Sequence, residues 1–280
     1  GWAGVQLSSA HGGVSSGGSF YYHAELHASG AAPPLGPERG GTRVAVLGSG
    51  LKDAYTLRCR FANASSAALG RLVDASQLEC ASPMHALGAT RVRLSINAQQ
   101  YGGGGGYAGG AGGAYTYERA WSVSSVWPSR VLSEGGTPLT VRGSGFSSAS
   151  ESLGYAVCRV GASAARRAAW ASATWLVCNS TRSSAGEARV EVSGNAREYT
   201  SDAARLQLVS VRVVDAQPWG GPQRGATLVS VRARGALVGG VLCRFGASRA
   251  AAAAAWSAGA SRLRCVTAAS AASGWAGVQL

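Results

Sequence analysis

Lysine, methionine, histidine and acid are scarce in this chain of 280 residues, which has Lys52, Met84, four histidines and 13 carboxylates beside 41 glycines. Only 14% of the residues are charged. The carboxylates are scattered, and no pair of them sits in a general acid/base frame. No serine–histidine–acid signature and no phosphate-cradling glycine loop is present. No stretch of about 18 consecutive apolar residues occurs, which excludes a membrane-spanning helix. No two cysteines have the short Cys-x2–4-Cys spacing that puts two thiolates on one zinc ion. The nearest approach to a metal site is His23-Ala-Glu25-Leu-His27, two imidazoles and a carboxylate on one face if the segment is a strand. It is not the His-Glu-x-x-His arrangement of a helix, and an exposed polar strand face is the stronger reading. The sequence therefore predicts no enzyme, no catalytic residue, no cofactor and no metal. A secretory leader is also missing, as expected of an internal window of a longer precursor.

What is present is repetition. Gly-Trp-Ala-Gly-Val-Gln-Leu occupies 1–7 and again 274–280, so residue 274 stands where residue 1 stood, a period of 273 residues. A duplicated tag is the plain alternative, but a second and shorter period lies inside the unit. The six cysteines fall in three pairs, Cys59/Cys80, Cys158/Cys178 and Cys243/Cys265, spaced 21, 20 and 22. The second cysteines share an approach: Ala75-Ser-Gln-Leu78-Glu-Cys80, Ala173-Thr-Trp-Leu176-Val-Cys178 and Ala260-Ser-Arg-Leu263-Arg-Cys265. The first share Cys-Arg-Phe or Cys-Arg-Val. Three modules of about 91 residues result, an ordinary size for a small β domain. Repeats of this kind point to a tandem array, a rod or fibre, not a compact enzyme.

Three evenly spaced cysteine pairs read as three disulfides, which persist outside the reducing cytosol. Closing each loop stabilises a module by about 3 kcal/mol on a chain-entropy account. Between and after the cysteines, apolar residues alternate with polar ones. Val92-Arg-Leu94-Ser-Ile96 starts 12 residues after Cys80, Val190-Glu-Val192 starts 12 after Cys178, and Val278-Gln-Leu280 starts 13 after Cys265. Because the unit recurs, Val5-Gln-Leu7 is that same strand. Period-two patterning of this kind describes strands with one buried face. Matching runs precede the first cysteines at Thr42–Val46, Thr137–Val141 and Leu228–Val231, and Gly48-Ser-Gly50 and Gly143-Ser-Gly145 follow the first two as turns. The fold class expected is all-β, a series of tandem sandwiches. The six alanines 250–255 favour helix by propensity, but their place between two cysteines predicts a loop or single turn.

The pattern Pro128-x6-Gly135-Gly136-Thr137-x-Leu-Thr-Val-x-Gly143-Ser-Gly145-Phe146, with Cys158-Arg, Leu176-x-Cys178 and Val190-x-Val192, resembles an IPT/TIG domain. The first module matches through Gly40-Gly41-Thr42, Gly48-Ser-Gly50 and Tyr115-Thr-Tyr117, whereas the third has Gly225-Ala226-Thr227 and Arg234-Gly235-Ala236 in the corresponding places. The resemblance implies immunoglobulin-like sandwiches, three per 273-residue repeat. It covers essentially the whole chain and is specific for fold, not for function. The modules expected are 27–118, with a glycine-rich insert at 102–113, then 119–208, then 209–280 completed by the next repeat. Residues 1–26 are expected to supply the final strands of a third module whose body belongs to the preceding repeat, with Leu7 and Tyr22 in its core. A glycine-rich turn through Gly18 is expected between the two strands.

Asn63-Ala-Ser65 and Asn179-Ser-Thr181 are N-glycosylation sequons beside the disulfides. Tyr101 and Tyr107 flank the glycine insert and are expected either in a flexible loop or in contact with a neighbouring strand of the fibre. Of 26 basic residues all but Lys52 are arginine, and the net charge is +13. Such a surface attracts polyanions, and an acidic polysaccharide fits an extracellular protein better than nucleic acid does. A Rel-type DNA-binding module would need reduced cysteines. The expected function is the structural repeat unit of a secreted, glycosylated surface or matrix fibre, its partners being neighbouring repeats end to end and lateral copies. The alternative is a receptor or adhesin ectodomain that binds a protein or glycan. Three modules end to end give an axial repeat on the order of 90 Å.

Overall fold

A computed structural model describes all residues except 13, 25, 55, 63–66, 103–112, 203, 236–241, 246–250, 254, 257–261, 270–277 and 280. The regular secondary structure among the described residues is almost entirely strand. At the start, β1 (Trp2–Ser8) and β2 (Val14–Tyr21) form an antiparallel two-stranded sheet of their own. The turn between them is tighter than the glycine content predicted. Gly12 N–H donates to Ser9 O at 3.1 Å, and Gly17 and Gly18 lie inside β2.

The first module runs through β3 (His27–Ala32), β4 (Leu35–Pro37), β5 (Arg43–Ser49), β6 (Arg58–Phe61), β7 (Ala68–Asp74), β8 (Gln77–Ala81), β9 (Gly88–Ser95) and β10 (Ala114–Glu118). These make one continuous sheet in the order β3-β5-β8-β7-β6-β9-β10-β4 that folds over on itself through β7. The strand β7 pairs with β6 at Ala68 and Leu69 and with β8 from Gly70 onwards, so it passes from one face of the sandwich to the other. Inward residues alternate: Val44 and Val46, Cys59 and Phe61, Val92 and Leu94, Tyr115 and Tyr117 are all buried. Leu26 joins this core. Phe61 meets the edge of Tyr115 at 5.1 Å and Tyr115 meets Tyr117 at 5.0 Å. Edge-to-face pairs of this kind add about 1 kcal/mol each to the area they bury.

The second module has β11 (Ser122–Trp127), β12 (Arg130–Leu132), β13 (Pro138–Ser144), α1 (Ser148–Ser152), β14 (Val157–Val160), β15 (Arg166–Arg167), β16 (Ala169–Ser172), β17 (Trp175–Asn179), β18 (Gly186–Ser193) and β19 (Arg205–Val209). They divide into sheets β11-β13-β17-β16 and β12-β19-β18-β14-β15. The third has β20 (Val211–Gln217), β21 (Leu228–Gly235), β22 (Leu242–Phe245), β23 (Ala251–Ala253), β24 (Ala255–Trp256), β25 (Arg262–Val266) and β26 (Val278–Gln279). Its sheets are β20-β21-β25-β24 and β23-β22-β26.

One expectation fails here. The alanine run was expected as loop or turn, yet Ala251–Ala253 is strand, paired with Leu242, Cys243 and Arg244 of β22. Tertiary pairing overrides the helix propensity of alanine, as it commonly does in short segments between strands.

The three modules share a backbone latch that the Gly-Gly-Thr signature builds. In each, the second residue of the signature donates its N–H across to the second residue beyond the second cysteine, just past the end of its strand: Gly41 to Ser82 O and Gly136 to Ser180 O at 2.8 Å, Ala226 to Thr267 O at 2.9 Å. The threonine N–H of each, Thr42, Thr137 and Thr227, then reaches a hydroxyl, that of Ser82, Ser180 or Thr267. The turn requires positive φ, 89° at Gly41 and 82° at Gly136. Ala226 adopts 62°, so the third module keeps the latch at a position where a side chain is disfavoured.

By contact density the chain forms two compact units. The first is 1–121 together with 145–156 and 193–199, and the second is 122–144, 157–192 and 200–280. Inside the first unit, the added segments are held by polar side chains. Glu118 accepts from the hydroxyls of Ser147 at 2.7 Å and Ser150 at 3.1 Å, and Glu38 accepts from the N–H of Ala120 at 2.6 Å. Thr42 donates to Glu198 at 2.8 Å. Trp121 packs edge-on to Phe146 at 5.2 Å and lies against Gly194, where any Cβ would come within 2.7 Å of the indole.

Candidate interaction surface

The predicted cysteine pairs are all bonded: Cys59–Cys80, Cys158–Cys178 and Cys243–Cys265, with Cα separations of 6.3, 6.3 and 6.1 Å. In each module the bond links the strand carrying Cys-Arg to the strand carrying Leu-x-Cys, and all six residues are buried. Asn179 ends β17 with its side chain exposed, and Ser180 beside it is anchored to Thr137 in the latch. The segment is therefore fixed in backbone and open at the amide that a glycan would occupy. Asn63 lies outside the described residues, as do Tyr107 and residues 103–112 of the glycine insert. Tyr101 contacts its own module: the Arg60 guanidinium lies 3.6 Å over its ring.

The proposed His23–His27 strand face is not formed. β3 begins at His27, His23 lies between β2 and β3 and turns its Nδ1 to Ala24 O at 2.7 Å, and Glu25 is outside the described residues. With His23 outside a strand, the alternation that would have aligned the two rings does not hold there. Among the described residues no three of His, Cys, Asp and Glu converge.

Instead, the carboxylates serve the framework, a role that scanning for catalytic frames could not reveal. Five of them, Glu79, Glu134, Glu187, Glu191 and Asp215, pair with arginines. Arg159 donates from both Nε and Nη2 to one oxygen of Glu191, at 3.0 and 2.6 Å. The pair bridges neighbouring positions of β14 and β18. The same position in the first module holds Arg60 opposite Arg93, where like charge is unfavourable and Tyr101 takes the guanidinium instead. The Arg71 hydrogen bond holds the Glu79 carboxyl below its ordinary range, and Ser76 does the same for Asp74. Burial pushes the phenols of Tyr115 and Tyr117 up.

The β1–β2 hairpin exposes apolar side chains on both of its faces. On one side lie Val5, Leu7, Phe20 and Tyr22, which are 45%, 73%, 54% and 66% exposed, with Phe20 edge-on to Tyr22 at 4.9 Å. On the other, Trp2 lies 5.0 Å from Tyr21, and the Lys52 ammonium sits 4.5 Å over the Tyr21 ring. A two-stranded ribbon with both faces open is marginal in water by itself.

The family model of the IPT/TIG domain matches residues 29–117 and 122–207. No curated protein matches the chain. Among solved structures, the plexin A4 full extracellular region is similar at 17% identity with a TM-score of 0.49, over 87% of this chain and 21% of that one. The Bacteroides ovatus glucan-utilization protein SGBP-B, solved with a mixed-linkage heptasaccharide, is 12% identical with a TM-score of 0.27, over 77% of this chain and 55% of that one. The Escherichia coli adhesin FdeC is 16% identical with a TM-score of 0.24, over 91% and 92%. This chain thus spans about a fifth of the plexin region it resembles.

Proposed function

We propose, from the premise that the chain belongs to the IPT/TIG domain family, that it is the structural repeat unit of a secreted, glycosylated surface or matrix fibre. The observation that carries this reading is the recurrence of residues 1–7 at 274–280, a period that holds three modules. The latch and the disulfide recurring in every module support it. Three disulfides fit an oxidising, extracellular setting. The unit is non-catalytic in this reading, and many of its described carboxylates engage arginines, hydroxyls or backbone N–H groups. The sugar acceptors are Asn63 and Asn179. The charge of +13 suits an acidic polysaccharide as the surrounding polymer.

Electron microscopy of native material carrying this sequence tests the reading. Filaments with an axial repeat on the order of 90 Å or more are expected. Peptide mapping after N-glycosidase should show conversion of Asn63 and Asn179 to aspartate. Dispersed, membrane-tethered molecules with a single set of modules would instead support the ectodomain alternative.

A further inference from the structure

The β1–β2 hairpin is aligned, residue by residue, with a pair of strands that is buried in both complete modules. Gly1-Trp-Ala-Gly-Val5-Gln-Leu7 corresponds to Gly88-Ala-Thr-Arg-Val92-Arg-Leu94 and to Gly186-Glu-Ala-Arg-Val190-Glu-Val192. The pairing agrees with the spelling. Ala3 faces Phe20 as Thr90 faces Tyr115 and Ala188 faces Leu206. Gly1 O accepts from Tyr22 N–H at the place where Gly88 faces Tyr117 and Gly186 faces Leu208. So Val5, Leu7, Phe20 and Tyr22 hold the positions of Val92, Leu94, Tyr115 and Tyr117, none of which is more than 1% exposed. Even the edge-to-face contact of Phe20 with Tyr22 reproduces that of Tyr115 with Tyr117.

The third module shows the complementary gap. On the side of β22 away from β23, the described residues include Val278–Gln279, in the register Phe245↔Val278 that matches Phe61↔Val92. In the complete modules the last strand also pairs in parallel with a short strand, β10 with Leu35–Pro37 and β19 with Arg130–Leu132. Pro218 precedes Gly225 by the same seven residues that separate Pro33 from Gly40 and Pro128 from Gly135, which makes Gly220–Pro222 the equivalent segment. Those three residues belong to no strand. A Cβ at Gly36 would collide with the Tyr115 hydroxyl. Gly221 occupies the place of Gly36 and leaves the same room for a ring.

We propose that the hairpin is a strand donor that completes the third module of a second copy of this unit. It rests on the tandem reading above and specifies the joint between repeats. Val5 takes the place beside Phe245 and Gln6 the place beside Arg244, now held by Val278 and Gln279. Tyr21, Tyr22 and His23 run parallel to Gly220, Gly221 and Pro222. Phe20 and Tyr22 enter the core formed by Val229, Val231, Cys243, Leu263 and Cys265. The resident Val278–Gln279 has the same sequence as its competitor but not the second strand, so the donor adds two buried rings when it displaces it. In a continuous tandem chain the same strands arrive covalently from the next repeat.

Sedimentation velocity on the 280-residue chain across a wide concentration series tests this. Open-ended head-to-tail association is expected. Phe20→Asp with Tyr22→Asp should weaken it about 100-fold or more, the loss expected for two buried rings. Met84→Gln, an exposed residue of the first module outside the joint, should leave it unchanged. A chain with residues 8–22 appended after Leu280 should be monomeric, and its third module should unfold about 10 °C higher. A chain that stays monomeric at every concentration overturns the proposal. So does association that ignores the Phe20/Tyr22 change, or an appended segment that neither stabilises the third module nor abolishes association. Any of these leaves the fibre reading standing, whereas native material without filaments defeats the fibre reading whatever the chain does in solution.

Discussion

In the first module Phe61 lies under Tyr115 and Tyr117 and is fully buried, whereas its third-module counterpart, Phe245, is only partly buried against Val229, Cys243 and their neighbours. The two regions share the latch, the disulfide and the register of the strand beside Cys-Arg-Phe. They differ in the final strand, which supplies two large rings to the first core, whereas among the described residues none is supplied to the third. The latch and the disulfide are thus present in the third module although no strand bearing such rings is among its described residues. In the first module that strand places Tyr115 and Tyr117 in the core.

The widest separation between the two should come from truncating the shared phenylalanine. Phe61→Ala is expected to cost about 3–5 kcal/mol in the first module, the usual loss for a fully buried ring. Phe245→Ala should cost less than about 2 kcal/mol in the 280-residue chain, because that ring is incompletely enclosed. Denaturant unfolding of both variants checks the pair. Appending residues 8–22 should raise the Phe245→Ala cost towards that of Phe61→Ala, and equal costs without the extension would erase the distinction.

A smaller effect separates the first module from the second by pH. The phenols of Tyr115 and Tyr117 titrate above their ordinary value in the folded state because burial disfavours the phenolate. The stability this represents is fully present below the unfolded tyrosine pKa of about 10 and is lost as pH rises through the window above it. The slope is at most about 1.4 kcal/mol per pH unit for each phenol. The second module has Leu206 and Leu208 in these positions, both buried and neither titrating. Thermal melts between neutral pH and pH 11 should show the first module falling relative to the second, and parallel shifts would refute the assignment.

Smallest is Tyr117→Phe. The Tyr117 hydroxyl is buried without a hydrogen-bond partner, so removing it should be neutral or stabilising by up to about 1 kcal/mol. A loss greater than that, measured by denaturant titration, would mean that the hydroxyl holds something in place, His85 stacked on the ring at 4.9 Å being the first candidate. It would also narrow the difference between tyrosine and leucine at this layer.

Periodicity alone determined the modules, the three cysteine pairs and the core strands, because alternation and spacing are local properties of the chain. Val92 and Leu94, and Val190 and Val192, are buried as their period-two pattern requires. The identity of 1–7 with 274–280 is likewise a property of the sequence alone. Other features depended on tertiary partners. Ala251–Ala253 became strand because β22 offered an edge to pair with. The short helix α1 follows the Ser147 cap, whose hydroxyl accepts from Ala149 N–H while donating to Glu118, a residue far off in sequence. The roles of Glu38, Glu118 and Glu198 were invisible for the same reason: a lone carboxylate in a strand-rich sequence carries no mark of the hydroxyl or N–H that will meet it. Local alternation fixes which side of a strand faces inward, but only the packed structure decides which partner closes the core.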